Sequence, residues 1–280
     1  MLFTLWCCPV CRAPLQGEGQ RLCCVQGHAF DRAREGYVNL LLAHRRRSKA
    51  PGDDRQMLLG RREFLERGYY RPLAERLAGL AAGLAASHAG EGFALLDLGC
   101  GEGYYTARVS AAVTEVRPAA SSWCAALDIA KPAVRMAARR HAGIDFAVAS
   151  SAEVPLADHS LDLVLRIFAP PHDSEVTRLL RPGGHLLTVN PGARHLHALR
   201  RQLYDRPREH APRQPRIEGL RHLQRIALDF EIEVAAADVA RLLAMTPYYW
   251  QVPAERQARI AALPGLATEV AFCIDLYRHP

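Results

Sequence analysis

Directly after an apolar run over residues 93–98, the chain reads Asp97-Leu98-Gly99-Cys100-Gly101-Glu102-Gly103. A short apolar run predicts a buried strand, and glycines at its end let the backbone turn tightly and approach a ligand. The loop amides, with the start of a following helix, can hold an anionic group. Asp128 ends the next apolar run, 25 residues beyond Gly103. An acid there can accept both hydroxyls of a ribose. The loop alone predicts a tight turn; loop and acid together predict a nucleotide-like cofactor.

The surroundings agree. Apolar runs at 123–127, 146–149, 161–168 and 185–189 alternate with helical patterns at 106–112, 132–140 and 174–180. Nearly continuous apolar strands between helices predict an α/β fold, Rossmann-like, with a mostly parallel sheet covered on both faces. Upstream, Leu73, Leu77, Leu80 and Leu84 mark one helical face within 70–86, and Asp53 or Asp54 can cap a helix starting near Arg55. Residues 195–216 read as a basic, proline-containing linker. A strand over 223–230, a helix over 238–245 and a strand over 270–277 follow, with no internal repeat.

A dinucleotide fingerprint is Gly-x-Gly-x-x-Gly. Here the loop is Gly-x-Gly-x-Gly led by Asp97, which resembles the first motif of class I methyltransferases, as does the turn Leu180-Arg181-Pro182-Gly183-Gly184. That resemblance implies S-adenosylmethionine as cofactor, held by Asp97, Gly99, Gly101, Glu102, Gly103 and Asp128. Ser150, after the third strand, is the adenine candidate; a helix N-cap serine is an equally good reading of it.

Five of the eight cysteines fall within the first 24 residues. Cys8-Pro9-Val10-Cys11 and Cys24-Val25-Gln26-Gly27-His28 stand 12 residues apart. Two such knuckles supply the four soft or borderline ligands that tetrahedral zinc needs, and a site with all four filled is structural. Cys7 and Cys23 compete in register; Cys8 and Cys24 are preferred because Cys8-x-x-Cys11 is the compact knuckle. Zinc rather than disulfides implies a reducing, cytoplasmic setting. The start of the chain has no basic region before its apolar residues and does not read as a signal peptide. No run of 18 apolar residues predicts a membrane span. The net charge of +7 is almost all arginine, Lys49 and Lys131 being the only lysines. Arginine suits phosphate recognition; a compositional bias of the genome explains it equally well.

The chain resembles the bacterial 23S rRNA guanine-N1 methyltransferases of the RlmA type. The knuckles carry the resemblance with Phe30-Asp31, Glu35-Gly36-Tyr37-Val38-Asn39-Leu40-Leu41 and Pro51-Gly52-Asp53. So do Arg62-Glu63-Phe64-Leu65, Tyr70-Arg71-Pro72-Leu73, the stretch from Gly99 to Thr106, Arg166-Ile167-Phe168-Ala169-Pro170 and Pro191-Gly192-Ala193-Arg194-His195-Leu196. Val25 in place of a second knuckle proline, Phe168 in place of a tyrosine and a longer stretch over 111–122 depart from the pattern.

The resemblance implies zinc at Cys8, Cys11, Cys24 and His28, and cofactor contacts from Tyr70, the loop at Gly101 to Gly103, and His195. It implies a zinc-binding RNA-recognition module over 1–40, a basic connector and helix over 41–69, and a methyltransferase domain over 70–280. The partner it implies is a 23S rRNA hairpin, which the module would grip with Arg45, Arg46, Arg47 and Lys49. Arg200, Arg201, Arg206, Arg208, Arg213 and Arg216 extend that surface or are solvated loop charges. Tyr248, Tyr249 and Trp250 stack on a base or, more commonly, pack in the core. A homodimer is left open.

Two branches of the family methylate neighbouring guanines. The loop Gly-Cys-Gly-Glu-Gly-Tyr-Tyr-Thr is nearer the branch acting on guanine 745 than the one acting on guanine 748 and linked to macrolide resistance. Phe168-Ala169-Pro170-Pro171 lacks the Asn or Asp that exocyclic-amine methylation uses, and Cys124 and Cys273 fall in strands where thiols are inert. Ring nitrogen remains. No general base is assigned; Glu102 is a weak candidate that also reads as a first-turn acid. A small-molecule methyltransferase and a non-catalytic zinc RNA-binding protein are the competing functions.

Overall fold

The computed structural model describes residues 4–42, 55–118, 121–204, 216–246, 248–249 and 252–280. Arg45, Arg46, Arg47 and Lys49, the turn at Pro51 to Asp53, Arg206, Arg208, Arg213 and Trp250 lie outside them.

The chain opens with three short strands, β1 (Gln16–Glu18), β2 (Arg21–Cys23) and β3 (Ala29–Asp31), paired antiparallel in that order. Then come β4 (Val38–Asn39), α1 (Arg55–Glu66), α2 (Arg71–Ser87), β5 (Phe93–Leu98), α3 (Tyr104–Val116), β6 (Ser122–Asp128), α4 (Lys131–Arg140) and β7 (Asp145–Val148). The second half holds β8 (Leu161–Ile167), α5 (Asp173–Leu179), β9 (Leu180–Pro191), α6 (His197–Leu203), β10 (Arg221–Ala235), α7 (Ala236–Ala244), α8 (Ala254–Ala261) and β11 (Gly265–Arg278).

The large sheet has the order β10-β11-β9-β8-β5-β6-β7-β4, parallel from β9 to β4. Among these strands β11 alone runs against the others, pairing antiparallel with β9 on one side and β10 on the other. Every residue of β5 and β8 is buried, which two-sided helix cover explains. From β5 the chain winds outward through β6 and β7, then crosses back to β8 and β9. The order therefore reverses between β5 and β8, and a crevice at such a reversal, beyond the carboxyl ends of the strands, is where α/β sheets bind ligands.

Two expectations need correction. The stretch read as a linker over 195–216 contains the helix α6, and α8 has no counterpart in the sequence reading. Arg200 lies within α6, is buried, and donates from Nη2 to the Ala193 carbonyl at 2.9 Å. It is therefore not part of an RNA surface.

The cysteine-rich module is not a separate ball. Its Val38-Asn39 strand adds to the sheet beside β7, and Leu40 N–H donates to Val148 O at 2.9 Å. Trp6, Leu15, Leu22, Val38 and Leu40 are buried in one cluster with Leu96 and Leu98 of β5 and Leu127 of β6. Trp6 meets Trp123 edge-on at 5.4 Å between ring centres. Among the described residues, no helix is long and apolar enough to cross a membrane.

Candidate cofactor cleft and metal centre

At the carboxyl end of β5, Gly99, Gly101 and Gly103 have φ of 78°, 57° and 86°. Close approach adds a second demand. A Cβ at Gly99 would lie 2.8 Å from Ala169 Cβ, and one at Gly103 3.0 Å from the His141 ring. Asp128, ending β6, fastens the loop: its Oδ2 accepts from Gly101 N–H at 2.9 Å and its Oδ1 from Ala130 N–H at 2.7 Å. A carboxylate oxygen has more than one acceptor site, so Asp128 can hold the loop and receive ribose hydroxyls together.

Asp97 is 2% exposed. Burial pushes its carboxyl up to about 7, against the Thr106 hydroxyl, which donates to Oδ2 at 2.5 Å; the nearby Asp128 charge adds to the rise. Asp97 Oδ1 is buried without a hydrogen-bond partner, as are Tyr70 Oη and Glu102 Oε1. Burial likewise raises the Glu102 carboxyl, although Arg140 lies 3.8 Å from its Oε2. Buried polar atoms without partners are costly. Here three of them line one cavity, as expected where a polar ligand belongs.

That cavity, of about 500 Å³, holds Tyr70, Asp97, the glycine loop, Glu102, Asn190 and His195 along its walls. His195 accepts at Nδ1 from Ala271 N–H at 3.3 Å, and its ring lies against Tyr70 and Phe272. A second cavity, of about 1000 Å³, continues on the other side of the loop and is lined by Asp128, Ser150, Leu40, Leu41, Pro9 and Arg12. Gly99, Gly101, Phe168 and Arg61 border both. The two spaces form one cleft, with Asp128 and Ser150 on one side and the aromatic rings of Tyr70, Tyr104 and Tyr105 on the other. Eight of the nine sequence-predicted cofactor residues line it, and Gly103 belongs to the loop between but does not reach the wall. Ser150 also serves locally, accepting at Oγ from Ala152 N–H at 3.2 Å.

The knuckles also converge. The ligand atoms of Cys8, Cys11, Cys24 and His28 all lie within 4.8 Å of one another. Cys11 Sγ and Cys24 Sγ are 3.7 Å apart, and Cys24 Sγ is 3.4 Å from His28 Nδ1. Zinc bonds of about 2.3 Å to sulfur and 2.0–2.1 Å to nitrogen place tetrahedral ligand atoms about 3.5–3.8 Å apart. The donor set and its spacing therefore fit zinc. The register question resolves structurally, since neither Cys7 nor Cys23 belongs to the cluster and Cys7 Sγ turns to the Leu5 carbonyl at 3.9 Å.

Sequence reasoning missed Arg61 and the contribution of Pro9 and Arg12 to the cleft. Arg61 was legible in part: Leu58, Arg61 and Leu65 share a helical face, and a cation within an apolar stripe signals a buried partner. Arg61 Nη1 lies 3.7 Å from where a Gly101 Cβ would stand.

Two family models match the chain: a zinc ribbon described as RlmA, N-terminal, over residues 6–49, and a methyltransferase domain over residues 95–184. A 23S rRNA (guanine(748)-N(1))-methyltransferase of Streptomyces fradiae is 39% identical over 265 residues, 92% of this chain and 91% of that one. A Micromonospora griseorubida protein, provisionally named a 23S rRNA (guanine-N(1)-)-methyltransferase, is 36% identical over 94% of this chain and 93% of its own. One from Bacillus subtilis under the same provisional name is 30% identical over 91% and 90%.

Proposed function

The chain belongs to the RlmA-type family of 23S rRNA (guanine-N1)-methyltransferases, and from that premise we propose that it methylates N1 of a guanine in a 23S rRNA hairpin. The observation that carries this reading is the joining of a Cys3His module to the cofactor cleft in one chain. Relatives with the same parts, matched nearly end to end, bear that activity in their names. The S. fradiae relative supports guanine 748 as the first choice of target. The glycine-loop sequence supports guanine 745 as the second.

S-adenosylmethionine supplies an electrophilic methyl group carried on a sulfonium. The residues of the chain position what reacts. Asp128 and the glycine loop receive the nucleoside, with Ser150 on the adenine side; Tyr70 and His195 wall the aromatic end. Alignment of the guanine ring with the methyl group would supply much of the rate. Two features favour a ring nitrogen as acceptor. Ala169, directly before Pro170-Pro171, stands where methylation of an exocyclic amine would need an Asn or Asp. Burial pushes the Cys124 thiol up to about 12 and raises Cys100 and Cys273 too, so none of these three offers a thiolate for attack on a pyrimidine. Zinc at Cys8, Cys11, Cys24 and His28 would hold the module against the cleft.

Arg61 is the cation best placed for the methionine carboxylate, at the meeting of the two cavities. Charge-assisted hydrogen bonds contribute about 1.5–3 kcal/mol. Arg61→Ala is therefore expected to weaken S-adenosylmethionine binding roughly 10- to 150-fold in calorimetry. Decarboxylated S-adenosylmethionine should bind parent and variant alike; an equal loss for both ligands would refute the carboxylate role.

Mass spectrometry of 23S rRNA fragments from a deletion strain tests the function. One N1-methylguanine should vanish, return with the intact gene and stay absent with Asp97→Ala. Its position decides between the two guanines. An unchanged methylation pattern in the deletion strain would eliminate the proposal.

A further inference from the structure

Helices α1 and α4 run side by side in the same direction. Leu58 packs on Ala130 and Ala133 near their starts, and Glu66 pairs with Arg140 at their ends. Leu58, Ala130 and Ala133 also face the cofactor cleft. The outer side of the pair is a groove of about 480 Å³, floored by Leu59 and Met136. Arg55 and Arg62 line it from α1, and Lys131, Arg135, Arg139 and Arg140 from α4.

The charges within this groove are poorly compensated. Arg135 and Arg139 share the single oxygen Glu35 Oε1, at 2.7 and 2.9 Å. Arg140 has Glu66, with the buried Glu102 at 3.8 Å behind it. Arg55, Arg62 and Lys131 make no salt bridge among the described residues. Elsewhere arginines meet their acids in kind: Arg178 lies between Glu175 and Asp158, and Arg241 between Glu63 and Asp238. Helix α4 contains four cations and no acid. Arg55 and Lys131 also occupy the first turns of their helices, where the helix dipole disfavours a cation. An anion lying in the groove would reverse both costs.

The two cation rows face each other across a concave surface. Lys131, Arg135 and Arg139 follow one stripe of α4, spanning about 12 Å at the helical rise; Arg55 and Arg62 follow the facing stripe of α1. Guanidinium forks bind phosphate oxygens bidentately. We propose that this α1–α4 groove is a phosphodiester-binding surface that grips the backbone of the RNA substrate beside the cofactor cleft. It rests on the rRNA reading above and adds where the strand runs.

The test uses full-length, zinc-loaded protein and a synthetic 23S rRNA hairpin containing both guanines. Binding is followed by fluorescence anisotropy over a range of salt. In Arg55→Glu/Lys131→Glu, hairpin affinity should fall about tenfold or more. The slope of log K against log salt should shrink by about 1.4–1.8, for two lost phosphate contacts. S-adenosylmethionine affinity by calorimetry should match the parent, which shows that the variant is folded. Arg76→Glu/Arg259→Glu, exposed on α2 and α8, carries the same change of net charge away from the groove and should stay within about twofold in hairpin affinity, well short of the electrostatic loss above. Parent-like hairpin affinity and slope in Arg55→Glu/Lys131→Glu would overturn the groove, as would an equal loss in the control variant. A parent that binds no hairpin would remove the rRNA reading and the groove with it.

Discussion

Asp97→Asn is expected to make the ligand-free protein more stable at pH 8 and, in the same variant, to cost it S-adenosylmethionine. The carboxyl is buried at the end of β5, its ionisation raised to about 7 by that burial, against the Thr106 hydroxyl bond. In the unfolded chain it titrates near 3.9. Below that, both states hold the proton and the residue contributes no pH dependence. Between about 3.9 and 7 the unfolded chain ionises first, so native stability declines as pH rises, and the full penalty stands above 7. Three units correspond to about 4 kcal/mol as an upper bound. Asparagine carries no charge to desolvate, and its carbonyl oxygen can still accept from Thr106. Urea melts should therefore separate variant from parent at pH 8 and bring them together as pH falls toward 4. Binding responds the other way. Asp97 Oδ1 is buried, unpartnered and on the cleft, where the methionyl ammonium would give it a partner. The parent should bind S-adenosylmethionine about tenfold more tightly at pH 8 than at pH 6, as Asp97 ionises. The variant should lose at least a hundredfold in affinity, the order of a severed buried ion pair, and the pH dependence with it. A variant that binds like the parent, or that gains no stability at pH 8, would defeat this account of Asp97.

How much of this was readable beforehand varies with the range of the interaction. The parallel strands were legible because their burial on both faces leaves continuous apolar runs. Asp97, the three glycines and Asp128 were legible because backbone geometry and ribose chemistry act over a few residues each. Pro182-Gly183-Gly184 suggested a break before the fifth strand. It is a bulge inside β9, where pairing with β8 passes from Leu161–Leu180 to Leu163–His185. Strand β10 runs on to Ala235 past two glutamates, because Ile232 and Val234 alternate with them and face the core. The arginines of α6 hid its helical pattern within charge that read as linker, and α8 falls in a stretch to which the sequence reading assigned no element. The module boundary at residue 40 was the least legible. The Val38-Asn39 strand finds its partner more than a hundred residues away, and Leu40 and Leu41 become cleft wall only through that pairing.

Metal removal should therefore damage the cofactor site, not only an RNA-binding appendage. The module's own strands are three residues long, too short to be stable without help. Zinc contributes roughly 10–16 kcal/mol of apparent folding energy in comparably small modules. Without it, Trp6, Leu15, Leu22, Val38 and Leu40 have only their docking on β5, β6 and β7 to keep them in place. Chelation should abolish hydrogen-exchange protection from Leu15 to Leu40 and expose β7, while β5, β8, β9 and β11 stay protected. Pro9, Arg12, Leu40 and Leu41 then leave the wall beside Asp128 and Ser150. Each buried apolar side chain lost there removes about 1.5–3 kcal/mol, so affinity for S-adenosylmethionine should fall by tenfold or more and return when zinc is restored. Cys24→Ser should reproduce the loss. Cys7→Ser and Cys23→Ser, outside the cluster, should bind one zinc and S-adenosylmethionine as the parent does. Unchanged S-adenosylmethionine affinity in chelated protein with an unfolded module would show that the cleft stands without its zinc-held wall.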